Sequence, residues 1–378
     1  MLSPLSQPPT TVPAPAGRVV LFTGHYHASG RRAGFHWLAK AFFDLGWDVT
    51  FVTVSFSPLS ALVRDFRSKL IPRQEYNRLV AIGPRFSSFV WRTPFHPVHM
   101  RSGLLNRLSA PFFATYGRLP LGTVTGNIRG ADLIILESDA SLMLAPCLKQ
   151  MNPDARLVYR MSDDLTMLRG HPAIYAAEQA NAGLFDLISV PSFTLWNRKK
   201  NYPRVAWHSH GIEKEAFDQR HPSPYQPGTR NAVFVGVSHF DDNAVDVAAA
   251  RFPDWHFHVI GPLPYRSSAA NVTVYGEMRF EDTIAYIQHA DIGLGTRSHV
   301  PGAEALSDSL KILQYAYAGV PVLAPDFLIN NLECLVPYRP NDPDSITAAF
   351  EKAIAYDRSR IRRDMISSWE ELALALAG

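Results

Sequence analysis

Two adjacent carboxylates, Asp163 and Asp164, stand in RLVYRMSDDL, just beyond an apolar run that ends at Arg160. An ionised carboxylate at the carboxyl end of a buried strand can take the proton from an attacking hydroxyl, which is general-base chemistry. The same pair could instead cap the following helix, or one member could raise its neighbour's pKa or share its role. A second group of residues lies in DSLKILQYAYAGVPVLAP (308–325). With Ser307 as the expected N-cap, Lys311 and Gln314 fall at i and i+3 on one face of the first two helical turns. Free amide N–H groups and the positive end of the helix dipole favour an anion there, and a lysine adds a full charge, as a diphosphate site requires. Gln314, both donor and acceptor, suits a neutral sugar hydroxyl. The competing reading is a lysine snorkelling beside a core helix. Near the start, GHYHASGRR places His25, Arg31 and Arg32 after the first apolar run, where they could bind an acceptor or its diphosphate. Glu137, at the end of DLIILE, is a further candidate of this kind.

Other chemistries find no anchor. The His-x-His pairs at 25/27, 208/210 and 256/258 each need a third ligand, and alternate residues of a strand face opposite ways. NDPDS (341–345) spells D-x-D but precedes ITAAFEKAIAY and reads as the cap of that helix. There is no P-loop and no GxGxxG. The expectation is an enzyme with no metal, no organic cofactor and no nucleic-acid partner.

These residues need strands and helices to position them, and the chain supplies both in alternation. Apolar runs at 18–24, 48–54, 132–138, 156–162 and 184–190 read as buried strands separated by helical segments such as RRAGFHWLAKAFFDLG. The rhythm repeats at 231–237, 255–261, 271–277, 291–297 and 320–325. That pattern implies two doubly wound, Rossmann-like α/β domains with parallel sheets, and 378 residues suffice for both cores. Residues 1–17 read as a Pro-rich disordered leader, 18–214 as the first domain, 215–230 as a linker and 231–355 as the second domain. Residues 356–378 read as a C-terminal helix that either ends the second domain or crosses back to the first, with Ser367 or Ser368 as its cap.

No run approaches the roughly 20 apolar residues of a membrane span, and two distant cysteines suit a reducing, cytoplasmic compartment. Charge is uneven. Residues 1–205 carry 23 Lys/Arg against 12 Asp/Glu, and the remainder 14 against 22. No acidic residue falls between Glu75 and Asp132, a segment holding Arg78, Arg85, Arg92, Arg101, Arg107, Arg118 and Arg129 together with Leu104, Leu105, Leu108, Phe112 and Phe113. Basic and apolar residues together suggest contact with an anionic membrane surface. A solvated basic face over core leucines is the alternative.

WHSHGIEKEAF, VFVGV, HFHVIGP, NVTVYGEM, YIQHADIGL and the helix before GVPVLAP follow in an order that resembles the donor-binding half of GT-B glycosyltransferases. LVYRMSDDL, VYGEM, DSLKILQY, GHYHASGRR and WRTPFHPVHMR narrow the resemblance, over most of the chain, to the membrane-associated glucuronosyltransferases of bacterial exopolysaccharide assembly. The resemblance implies a GT-B fold and inverting transfer of glucuronate from UDP-glucuronate to a mannose of a polyprenyl-diphosphate-linked oligosaccharide. It also implies peripheral attachment to the cytoplasmic side of the inner membrane. It puts the catalytic base on Asp163 and the donor contacts on Glu277, Met278, Lys311 and Gln314. Four positions depart from the family pattern: Asp164 for Gly, Arg297 for Tyr, and Leu310 and Ser238 each for Met. Arg297 can pair bidentately with a carboxylate or a diphosphate, so an anionic donor stays consistent with the change. Transfer of another nucleotide sugar, sugar-nucleotide epimerisation and non-catalytic nucleotide-sugar binding are the competing readings.

Overall fold

The structure is a computed structural model that describes residues 15–30, 32–63, 65–165, 168, 170–236 and 239–378. Its apolar runs form two sheets. The first contains β1 (Arg18–Thr23), β2 (Asp48–Phe56), β3 (Leu79–Gly83), β4 (Phe86–Arg92), β5 (Leu133–Leu136), β6 (Arg156–Arg160), β7 (Leu187–Val190) and β8 (Val205–Trp207). Their order is β3-β4-β2-β1-β5-β6-β7-β8, parallel except for the β3–β4 pair. The second contains β9 (Arg230–Val235), β10 (Trp255–Ile260), β11 (Val272–Gly276), β12 (Ile292–Leu294), β13 (Val322–Pro325) and β14 (Leu335–Tyr338), ordered β11-β10-β9-β12-β13-β14 and wholly parallel. Helices on both faces make the central strands apolar on both sides, so β5 and β7 are buried at every residue.

Register decides what meets at the strand ends. Phe22 of β1 pairs with Leu136 of β5, and Leu136 with Tyr159 of β6. The next residues, Thr23, Glu137 and Arg160, therefore emerge side by side at the carboxyl edge. In the second sheet Val233 of β9 pairs with Gly293 of β12, so the chain after each strand leaves from one rim. Gly236, which follows β9, is required there. A Cβ on it would lie 2.9 Å from the Phe234 ring and 3.5 Å from Lys311 Nζ.

The C-terminal helix Trp369–Ala377 crosses back to the first domain. Its Leu372, Ala373 and Leu376 pack with Phe35, Leu38 and Phe42 of helix Gly34–Asp44 in one buried cluster. Ser368 caps it in a box with Glu371.

Several expectations need adjusting. The N-cap of helix Leu310–Tyr317 is Ser309; Ser307, expected in that place, donates its hydroxyl to the Glu304 carbonyl at 2.6 Å. That shift makes Lys311 the second helical residue. The 215–230 segment begins with a short helix, Lys214–Asp218, and Gln288 donates to the Phe217 carbonyl at 2.7 Å, so it is docked along part of its length. Ala16 and Gly17 hydrogen-bond to Gly46 and Asp48, which ties down the end of the predicted leader. Strands β3, β4, β8 and β14 were not anticipated. β3 is largely exposed and β8 spans three residues, so neither carries a strong apolar signal.

Candidate active site

A cavity of about 310 Å³ lies between the two sheets. His25, Glu137, Asp163 and His210 line it from the first domain, Asp308 and Leu310 from the second. Strand ends deliver the first group, and the turns before helix Leu310–Tyr317 the second, as expected at the carboxyl edge of open α/β sheets.

Asp163 is part-buried in the loop after β6. Burial raises its pKa, the charges of His25 and Arg297 pull it back down, and Asp164 adds to the rise. Arg297 thus acts on this carboxylate from the opposite domain. The loop begins firmly anchored: Ser162 donates its hydroxyl to Glu137 Oε1 at 2.7 Å, and its amide donates to Ser138 Oγ at 3.2 Å. Neither aspartate caps the following helix, Pro172–Asn181, whose N-cap is His171, with Nδ1 accepting from the Ala173 amide at 3.1 Å. Asp164 is buried and ion-paired to Arg198 at 3.0 Å, and the same guanidinium reaches Glu304 of the second domain at 3.2 Å. Both aspartates line the cavity, and of the two Asp164 is the one held by an arginine.

Behind Asp163 stand two acids, Glu137 buried and Asp139 part-buried. Glu137 accepts hydrogen bonds from Thr23 and Ser162, and His25 Nε2 lies 3.8 Å from its Oε1. Burial pushes Glu137 up to about 7. Asp139 is pushed up to about 7 by burial and by the charge of Glu137. Burial lowers the His25 pKa, opposed by Asp139.

On the second domain Lys311 Nζ sits 3.9 Å from the centre of the Phe234 ring, and its pKa falls well below the usual lysine value through burial and the nearby Arg297 charge. Arg297 is 5% exposed, with Nε lacking a hydrogen-bond partner among the described residues. Burial brings its pKa down to about 10. Two cations close together, resting on an aromatic ring and apolar walls, form a site suited to an anion.

The remaining sequence candidates scatter. Leu310 lines the cavity, and Gln314 is buried one turn beyond Lys311. Glu277 is exposed and Met278 part-buried just past β11, at the edge of the second sheet and outside the cavity. Arg32 lies over the Trp37 ring at 5.4 Å, also outside it. Arg31 and Ser238 lie outside the described residues. Sequence reasoning missed Arg198, Ser162 and Asp308. Arg198 stands in a basic run, NRKK, that reads as a solvated helix end, while Asp308 was seen only as the start of the lysine motif. The Asp308 carboxyl is pushed up to about 7 by burial.

Comparison with known proteins agrees with this geometry. Residues 21–191 match the family described as glucuronosyltransferase GumK, N-terminal domain. The UDP-glucuronate:glycolipid 2-beta-glucuronosyltransferase of Xanthomonas campestris pv. campestris is 30% identical over 347 residues, 91% of this chain and 86% of that one. Among solved structures, sucrose-phosphate synthase from Thermosynechococcus elongatus superposes with a TM-score of 0.64 at 16% identity, covering 95% of this chain and 97% of that one. Anabaena HepE in complex with UDP and glucose gives 0.55 at 12% identity, covering 95% of each chain. These likenesses establish the fold, the two-domain GT-B arrangement. The whole-length relationship to the Xanthomonas enzyme places the chain in the GumK glucuronosyltransferase family.

Proposed function

We propose that this glycosyltransferase moves glucuronate from UDP-glucuronate, with inversion, onto a mannose hydroxyl of a polyprenyl-diphosphate-linked oligosaccharide. One observation carries the choice of an acidic donor. In the second domain the buried Arg297 keeps Nε without a hydrogen-bond partner among the described residues, and Lys311 stacks on Phe234 beside that charge. Buried cations are costly without a counter-anion, and a UDP-uronate brings both a diphosphate and a carboxylate. In the proposed step Asp163 takes the proton of the acceptor hydroxyl as its oxygen bonds to the anomeric carbon. The bond from that carbon to the diphosphate oxygen breaks on the opposite face, and UDP leaves with the electron pair. Lys311 holds the charge that develops on the diphosphate, the role that a metal ion fills in other transferases, so we expect no metal requirement, and Arg297 pairs with the carboxylate of the donor sugar. Glu277, Met278 and Gln314 hold the remainder of the donor, while His25, Arg32 and Glu137 form the acceptor side.

Arg297 tests the donor assignment. Losing a charge-assisted contact removes roughly 1.5–3 kcal/mol, or about 10–150-fold. Arg297→Gln is expected to lose that much kcat/KM with UDP-glucuronate and little with UDP-glucose. Equal losses with both donors would assign the guanidinium to the diphosphate and favour the second reading, another UDP-sugar, which the replacement of the family tyrosine by Arg297 keeps in play.

The acceptor reading includes a membrane surface. Helix Gly103–Phe113 exposes Leu104 (67%), Leu108 (68%) and Phe112 (53%) beside Arg101, Arg107 and Arg118. Among the described residues no helix is long and apolar enough to cross a bilayer. Peripheral attachment to the cytoplasmic face of the inner membrane fits this surface. Flotation with phosphatidylglycerol vesicles is expected to succeed at low salt and to weaken at high salt, because screening shortens the reach of exposed charges. Binding indifferent to salt and lipid charge would leave the basic face merely solvated.

A further inference from the structure

A cavity larger than the catalytic one lies elsewhere in the first domain. A groove of about 880 Å³ runs between helix Gly103–Phe113, the turn Ala114–Arg118, helix Ala145–Met151 and helix Pro172–Asn181. Its volume falls in the roughly 300–1,000 Å³ range of small-molecule sites. Most of the lining is small and apolar, with Ala110, Ala114, Met143, Ala176 and Ala180 along its length. Arg107 and Arg118, both exposed, stand on its wall.

Three features identify its occupant. First, the groove begins where the catalytic loop ends. His171, eight residues after Asp163, caps helix Pro172–Asn181 and is hydrogen-bonded to Ser109 of the facing helix at 3.1 Å. From Ala173 to Ala180 that helix carries the groove about 10 Å further. Second, the groove wall is the same helix whose other residues, Leu104, Leu108 and Phe112, are exposed, so an apolar chain can pass from a bilayer into it. Third, its two arginines lie in a stretch with no acidic residue from 76 to 131, and the planar guanidinium fork matches a phosphate bidentately.

We infer that this groove seats the hydrocarbon chain of the lipid-linked acceptor, with Arg107 and Arg118 holding its phosphate head. The placement extends the acceptor reading above: sugar at Asp163, diphosphate near the start of helix Pro172–Asn181, hydrocarbon along it. It explains the run of alanines on the groove side of that helix, where larger side chains would fill the channel.

Photolabelling of the full-length protein with farnesyl diphosphate carrying a diazirine on its terminal isoprene tests the site directly. The probe has no sugar, so labelling is read independently of donor identity and of whether transfer occurs. The label is expected within residues 107–118 and 173–181, displaced by unlabelled farnesyl diphosphate and not by phosphatidylglycerol vesicles. Ala176→Trp/Ala180→Trp, at two exposed positions, is expected to cut labelling by roughly tenfold while UDP affinity stays at the parent value. Arg107→Glu/Arg118→Glu is expected to weaken the diphosphate probe and spare the corresponding farnesol probe. Labelling outside the groove, labelling unchanged in the tryptophan variant, or equal displacement by phosphatidylglycerol would overturn the assignment, the last by making bulk phospholipid the occupant.

Discussion

Asp163→Asn is expected to abolish sugar transfer while UDP binds as tightly as to the parent protein. The amide has nearly the shape of the carboxylate but cannot accept the proton of the attacking hydroxyl. A positioned general base contributes about 10²–10⁴ in rate, so kcat should fall by that order. UDP affinity should be untouched because Asp163 belongs to the first domain and Lys311, the cation for the diphosphate, to the second. A pH profile adds a second readout. Burial raises the Asp163 pKa, and the reactive form is the ionised one. The parent kcat/KM should therefore fall as pH drops through a value above the ordinary carboxylate range. Glu137, pushed up to about 7, also takes up a proton as pH falls. Glu137→Gln tests its share: an acid limb that disappears in this variant belongs to Glu137, and one that survives does not. Full activity in Asp163→Asn would require another base, and Asp164 is poorly placed for that role because Arg198 already holds it.

Lys311→Ala carries the second large effect. The ammonium is buried against Phe234, backed by Gly236, and crowded by the charge of Arg297. A bound diphosphate would relieve that crowding, so UDP affinity is expected to fall by roughly 10–150-fold in the variant, the worth of one charge-assisted hydrogen bond. Stability should move the other way. Removing a part-buried cation that a like charge crowds spares its desolvation and repulsion cost, so the thermal midpoint of the free protein should hold or rise. A lysine present only to cover the core would give the opposite pattern, with UDP affinity unchanged and the midpoint lowered. Because the Lys311 pKa is depressed, the neutral amine accumulates at alkaline pH. UDP affinity of the parent protein should accordingly decline as pH rises, and that slope should disappear in the variant. Isothermal titration across pH measures all of this.

The strands that carry the site were legible because parallel, doubly covered sheets demand continuous apolar runs. RVVLFT, DLIIL and NAVFV announce themselves for that reason. The β3–β4 pair did not. β3 is an exposed edge, and β4 opens with Phe86, Ser87 and Ser88, short of an apolar run. Within the site, Asp163 and Lys311 could be found because each interrupts an expected pattern, a carboxylate after a strand and an ammonium at the start of an apolar helix. Arg198 could not, because its partners Asp164 and Glu304 come from segments 34 and 106 residues away. Contacts set by domain closure leave no local periodicity. The Ser307/Ser309 slip has a similar origin. Both serines suit a cap, and only the path of the short turn Ala303–Leu306 decides which one starts the helix.

If the cleft transfers a uronic sugar to an acceptor, turnover depends on that acceptor. Purified protein would be incubated with a panel of UDP-sugars, with and without a membrane extract containing lipid-linked oligosaccharides, and the products followed by mass and by anomeric configuration. UDP-glucuronate alone is expected to stay intact and, with extract, to undergo a transfer that yields UDP and an inverted, β-linked glucuronosyl lipid, far ahead of UDP-glucose. Interconversion of UDP-sugars in the absence of any acceptor, with no glycolipid product in its presence, would contradict it.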